Sequence, residues 1–204
     1  MFMRSERLFL RPAWPEDWEE LLSQVADEAV VKNLAKVPWP YTAEDARWFA
    51  SQPQHQRLPH FFITLPTSAE PARIVGCIGL AQDGADVELG YWLSREHWGR
   101  GYASEAARAV ISVARVLGHQ RLVAGHFADN PASGRVLRKV GFRPTGQIRQ
   151  RFSLARGTAV ASIEPSSMTI TDRLWRASWS AAPRPAADPP RMATSQVRTR
   201  AGAG

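Results

Sequence analysis

The chain has 204 residues, 44% of them hydrophobic, and a formal net charge of +7, which allows one globular domain with a full core and excludes a second of comparable size. No apolar run reaches the roughly 18 residues that a membrane span needs, and Met1-Phe-Met-Arg-Ser-Glu lacks the basic-then-apolar order of a secretory leader, so a cytoplasmic protein is expected. A single cysteine, Cys77, excludes an internal disulfide and sits in an apolar run, where a buried structural thiol belongs.

Taken in order, Leu8 and Leu10 alternate with polar neighbours and predict a first strand near 6–11, closed by Pro12. Pro15 suits the first position of a helix whose apolar face is Trp18, Leu21, Leu22 and Val25. Shorter helical pieces follow near 27–34 and from Thr42, where Thr42-x-x-Asp45 reads as a capping box with Trp48 and Phe49 on the buried side. Between them, Pro38-Trp39-Pro40-Tyr41 is a stiff aromatic loop that either shapes a pocket or plugs the core. Runs at 60–65, 73–80 and 86–93, separated by segments holding Pro66, Pro71 and Gly84, predict an antiparallel meander.

The next helix carries an apolar stripe of Ala103, Ala106, Ala107, Val110, Ala114 and Leu117, with Ser104, Arg108, Ser112 and Arg115 opposite, and stops at Gly118. A strand over 121–127 leads to Asn130-Pro131, a cap and a first-turn residue for a helix in which Ala132, Val136, Leu137 and Val140 share a face before Gly141. Strand-like pieces near 142–152 and 165–171 complete an α/β (α+β) domain with a mostly antiparallel sheet of about six or seven strands. The domain is expected over 1–179, and the Ala/Pro/Arg-rich segment 180–204 as a disordered tail. Arginines 184, 191, 198 and 200 against Asp188 put +3 of the +7 in that tail, which leaves the domain modestly basic and argues against nucleic acid as a partner. A tail that tethers the domain to RNA is the competing reading.

The densest signal is the stretch Trp98-Gly-Arg-Gly-Tyr-Ala-Ser-Glu-Ala106, a small-residue loop running without a break into a helix. Glycines at 99 and 101 permit left-handed backbone and close approach of an anion to peptide N–H groups, to which the helix adds its positive N-terminal dipole. A dinucleotide fingerprint would need glycine where Ser104 stands, and no Gly-Lys-Ser/Thr string supplies a P-loop. The bare loop therefore reads either as an anion cradle or as an ordinary glycine turn.

Four features in fixed order resemble the GCN5-related N-acetyltransferase (GNAT) family, and within it the RimJ/RimL-like branch that acetylates protein N-termini. They are Glu88-Leu-Gly-Tyr-Trp-Leu93, Trp98-Gly-Arg-Gly-Tyr-Ala103 with Ser104-Glu105-Ala106, Asn130-Pro-Ala-Ser133 and Lys139-Val-Gly-Phe142. The resemblance spans roughly 4–176, and it implies a GNAT fold with splayed middle strands and a site for acetyl-CoA as cosubstrate. Trp98, Gly99, Arg100, Gly101, Tyr102, Ala103 and Ser104 would hold the pyrophosphate, main-chain groups near Leu93 the pantetheine arm, and Asn130 the neighbourhood of the second helix start. Many relatives place a tyrosine general acid where this chain has Leu137, and the branch's replacement is the serine of Asn-Pro-x-Ser, here Ser133, which would hydrogen-bond or protonate the CoA sulfur. As a simple N-cap and a first-turn residue, Asn130 and Ser133 have structural roles too.

Direct attack of an amine in a ternary complex is the expected chemistry. A peptide α-amine with pKa about 7.8 is roughly a tenth neutral at pH 7, whereas a lysine near 10.4 is neutral in about one molecule in 2,500. An N-terminal acceptor therefore asks little of a base, and Glu88 is the candidate to take the proton, as against a purely structural acid. Acetylation of a small-molecule amine is the alternative, with a non-catalytic acetyl-CoA-binding domain behind it. No metal is expected, because His55, His60, His97, His119 and His126 show no ligand spacing. The protein would be a monomer or homodimer.

Overall fold

The computed structural model describes residues 1–66 and 72–170. The domain end at 179 and the tail over 180–204 lie outside the described residues. The strands are Met3–Arg4 (β1), Phe9–Arg11 (β2), His60–Leu65 (β3), Arg73–Asp83 (β4), Asp86–Leu93 (β5), Arg121–Phe127 (β6), Gln147–Ser153 (β7) and Thr158–Thr169 (β8). The helices are Trp18–Val25 (α1), Glu28–Val31 (α2), Ala43–Ala50 (α3), Tyr102–Val116 (α4) and Pro131–Lys139 (α5). One sheet runs β1-β2-β3-β4-β5-β6-β8-β7, eight strands rather than six or seven because the two-residue β1 is too short to leave a periodic signal.

Neighbouring strands are antiparallel except β5 and β6, which run parallel and, among the described residues, pair only at Glu88↔Val123. Beyond that pair the two strands continue to Leu93 and Phe127 unjoined, which opens the sheet at its middle as expected. On β6 a register shift between Ala124 and His126 bends the strand further.

Alternation along β3 divides the core. Phe61 and Ile63 join the cluster that holds Ala106, Ala107 and Val110 of α4 and Leu137 of α5, while Phe62 joins Leu21, Val25, Val31 and Ala50 of the first three helices. Helices thus cover both faces of the sheet.

Three sequence expectations are corrected. Trp48 is 65% exposed, because the buried face of α3 is Ala46 and Ala50 with Phe49 beside them, at i, i+3 and i+4. Ser104 is 3% exposed instead of lying on the polar face of α4. The last strand begins at Thr158, where its first residues pair with β7 through short side chains that carry little apolar periodicity. The Thr42–Asp45 capping box forms as read, and Tyr41 of the aromatic loop packs against the second core cluster as a plug.

Candidate active site

Gly99 and Gly101 take φ of 75° and 81°, a region where a Cβ is disfavoured, and Gly101 caps α4 with no side chain bonded to the helix's first N–H groups. Those donors face a cavity of about 290 Å³ lined by Gly99, Gly101, Tyr102 and Ser104 and, from α5, by Arg135 and Lys139. Two cations opposite a positive helix terminus repel unless an anion sits between them, so the arrangement suits an anion. Arg135 and Lys139 were missed in the sequence; their spacing with Ala132 and Val136, at i, i+3, i+4 and i+7 on one side of α5, was the available signal. Leu137 and Val140 turn instead into the core, Leu137 being 1% exposed.

The loop is fastened at both ends. Trp98 donates its indole N–H to the Leu93 carbonyl at 2.8 Å. Arg100 lines neither cavity, but its carbonyl accepts a bond from Arg7 Nη1 at 3.1 Å. Arg7 lies 4.8 Å above the Tyr102 ring and pairs with Glu105, whose Oε1 also accepts from Ser5 Oγ at 2.7 Å. Burial pushes the Glu105 carboxyl up, but the bonds from the Arg7 main chain, from Ser5 and from the Arg7 side chain outweigh it and hold the carboxyl below its ordinary range.

A second cavity, about 480 Å³, shares Leu93, Gly99, Ala103, Ala132 and Val136 with the first and continues through the opening between β5 and β6. Ser94 N–H donates to Val75 O at 3.0 Å, which makes Leu93↔Gly76 a pair not bonded to each other, so the main-chain groups of Leu93 and Tyr91 turn away from β4 into that opening. One of them, the Leu93 carbonyl, already carries the Trp98 indole.

Of the sequence-derived residues, Glu88, Leu93, Trp98, Asn130 and Ser133 all line this cleft. Asn130 Oδ1 accepts the Ser133 amide at 3.2 Å and caps α5 as read. Ser133 Oγ lies 2.7 Å from the Tyr91 hydroxyl. Glu88 is held by Arg151 from β7 through two bonds, Nη1 to Oε1 at 2.6 Å and Nη2 to Oε2 at 2.9 Å. Sequence spacing could not foresee Arg151, which lies 63 residues along the chain from Glu88.

The far end of the cleft is formed by Asn33, Lys36 and Val37, a segment held by the β7–β8 turn, whose Leu154 amide donates to Ala35 O at 3.0 Å and whose Arg156 binds Lys32 O and Asp129. His126 also lines the cleft; burial first, and Arg138 second, lower its pKa, and its Nδ1 is buried without a partner. Cys77 is buried and its thiol pushed up to about 12 by that burial, which makes it unreactive as a nucleophile.

The family model for an acetyltransferase (GNAT) domain matches residues 7–143. The uncharacterized N-acetyltransferase YoaA of Bacillus subtilis strain 168 is 30% identical over 154 residues, 72% of this chain and 86% of that protein. Among solved structures, the microcin self-immunity acetyltransferase MccE in complex with acetyl-CoA and AMP superposes with a TM-score of 0.67 at 22% identity, over 81% of this chain and 93% of its own. The ribosomal alpha-N-protein acetyltransferase RimL in complex with coenzyme A does so with a TM-score of 0.69 at 21% identity, over 83% and 98%.

Proposed function

Because this chain belongs to the GNAT family and is an acetyl-CoA-dependent N-acetyltransferase, we propose that its acceptor is the α-amino group of a protein or peptide N-terminus. One observation carries this reading: among the described residues Glu88 is the single carboxylate lining the cleft, and both of its oxygens are engaged by Arg151. A polyamine or aminoglycoside would need free acidic groups, which this lining does not offer. A lysine would need about 3.5 kcal/mol of additional help in deprotonation, and an arginine-bound carboxylate is a poor source of it. An α-amine, already partly neutral near pH 7, needs neither.

Acetyl-CoA supplies an activated acyl carbon with a thiolate leaving group. The amides of residues 98–104, with Arg135 and Lys139, would bind its pyrophosphate, and the Leu93 N–H and Tyr91 main chain would bind the pantetheine arm in the manner of an added strand. Ser133 Oγ would hydrogen-bond the sulfur. Water takes the amine proton rather than Glu88, and the Glu88–Arg151 pair shapes the wall against which the acceptor lies. RimL, among the similar solved structures, is a ribosomal alpha-N-protein acetyltransferase, which is consistent with this assignment.

The deciding experiment is thiol release from acetyl-CoA with a peptide bearing a free N-terminus, the same peptide N-blocked with one internal lysine, spermidine, and small amino compounds. The free N-terminus should give kcat/KM at least about tenfold above the lysine peptide and spermidine at pH 7, given their neutral fractions. A small amine or spermidine as the best substrate would overturn the assignment in favour of small-molecule acetylation.

A further inference from the structure

Tyr91 on β5 and Ser133 on α5, 42 residues apart in the chain, meet through their hydroxyls at 2.7 Å. The Tyr91 hydroxyl also lies 3.3 Å from the Ser133 carbonyl oxygen, which can only accept. The phenol is the more acidic of the two hydroxyls and its shorter contact is the serine oxygen, so its single hydrogen goes to Ser133 Oγ, with the carbonyl at the weaker end of a bifurcated bond. Burial pushes the Tyr91 phenol up to about 12, with the Ser133 bond pulling the other way, so the phenol keeps its hydrogen throughout the working range. Ser133 is itself fixed at the first turn of α5, because its amide is bound to Asn130 Oδ1.

A serine hydroxyl has one hydrogen to give and two lone pairs to receive with. Once Tyr91 fills one lone pair, the serine hydrogen is turned away from the tyrosine, toward the cleft that both residues line. We propose that Tyr91 is a positioning residue for acetyl transfer: by donating to Ser133 Oγ it aims the Ser133 hydrogen at the thioester sulfur.

As the amine nitrogen bonds to the acetyl carbon, the carbon–sulfur bond breaks and its electron pair goes to sulfur, where the Ser133 hydroxyl meets the charge. Nitrogen releases one proton to water and sulfur takes one from water, while both hydroxyls keep theirs. The position on α5 where many relatives carry a tyrosine is filled by buried Leu137; here a phenol reaches Ser133 from the strand. This inference rests on the assignment of Ser133 to the sulfur.

The test compares Tyr91→Phe, Ser133→Ala and the double variant in the full chain, measuring kcat and the Kd of acetyl-CoA. Each single change should lower kcat by about tenfold, the scale of one hydrogen bond in the transition state, with Kd unchanged within about twofold. The double variant should fall no further than Ser133→Ala, since the two hydroxyls act in series. A normal rate in Ser133→Ala would remove the sulfur assignment itself. A reduced Ser133→Ala with a normal Tyr91→Phe, or losses that multiply in the double variant, would overturn only the role of Tyr91. Independently of any acceptor, the thiol of bound CoA, followed by thiolate absorbance, should have a higher pKa in Tyr91→Phe than in the parent protein. An equal pKa in the two would overturn the inference, and so would a Tyr91→Phe protein whose deficit lay in Kd or melting temperature instead.

Discussion

Glu105 holds Arg7 by main chain and side chain together: Oε1 accepts the Arg7 amide at 2.7 Å and Oε2 accepts Arg7 Nε at 2.8 Å. One carboxylate on the first turn of α4 thereby ties the segment before β2 to the helix that follows the glycine loop. Replacing Glu105 by Gln should cost about 1–2 kcal/mol, a charged hydrogen-bond set discounted for the solvent exposure of Arg7, and should raise the KM for acetyl-CoA. The sign with pH is fixed by the depressed carboxyl pKa. The stabilisation is complete above the unfolded value of about 4.3 and is lost as pH falls through the lower folded value. Melting temperatures of parent and Glu105→Gln should differ at neutral pH and converge under acid; a constant gap would refute the assignment.

The two loop glycines separate backbone strain from crowding. A Cβ at Gly99 meets nothing within 4 Å, whereas one at Gly101 comes 3.5 Å from Arg7 Nη2. Alanine at either should therefore cost about 1–2 kcal/mol from the left-handed backbone alone. Both substitutions should weaken acetyl-CoA binding by calorimetry, and an alanine at either site that left stability and affinity intact would show that the loop relaxes.

Arg135→Ala and Lys139→Ala should each weaken CoA binding about three- to tenfold at low salt, as for charged contacts to phosphate, and lose less as ionic strength rises. Melting temperature should not drop, since both side chains face the cavity beside a positive helix terminus. Salt-independent losses would place the two residues elsewhere in the binding process.

Gly134 sits where a Cβ would lie 2.6 Å from His126 Nε2. Alanine is the better helix former by about 1 kcal/mol, so an uncrowded site would be stabilised by Gly134→Ala. Overpacking against the imidazole should reverse that sign and destabilise by about 1–3 kcal/mol. Combining it with His126→Ala should restore the helix-propensity gain, measured as urea midpoints of the three variants.

What the sequence made legible were features with a local cause. Thr42 with Asp45, Asn130 with Ser133, and the stops at Gly118 and Gly141 are each decided within a few residues, and all stand in the structure. The left-handed glycines 99 and 101 ahead of α4 belong to the same class. Partners joined by topology were not legible: Arg7 is far along the chain from Glu105, Arg151 from Glu88, and Tyr91 from Ser133. The alternation around Tyr91 gives it a face but not what arrives on that face. Trp48 misled because bulk was taken for burial, while two alanines set the packed side of α3.

The lone pair Glu88↔Val123 between β5 and β6 makes the sheet two mechanical pieces with a seam. Across the seam, the rigidity of the empty protein depends on α4 and α5 and not on a continuous ladder of backbone bonds. A ligand laid along the open stretch would act as a splint, stiffening both halves at once. Amide hydrogens of Tyr91, Leu93 and the end of β6 should then be among the first in the sheet to exchange in the free protein and the most slowed by acetyl-CoA.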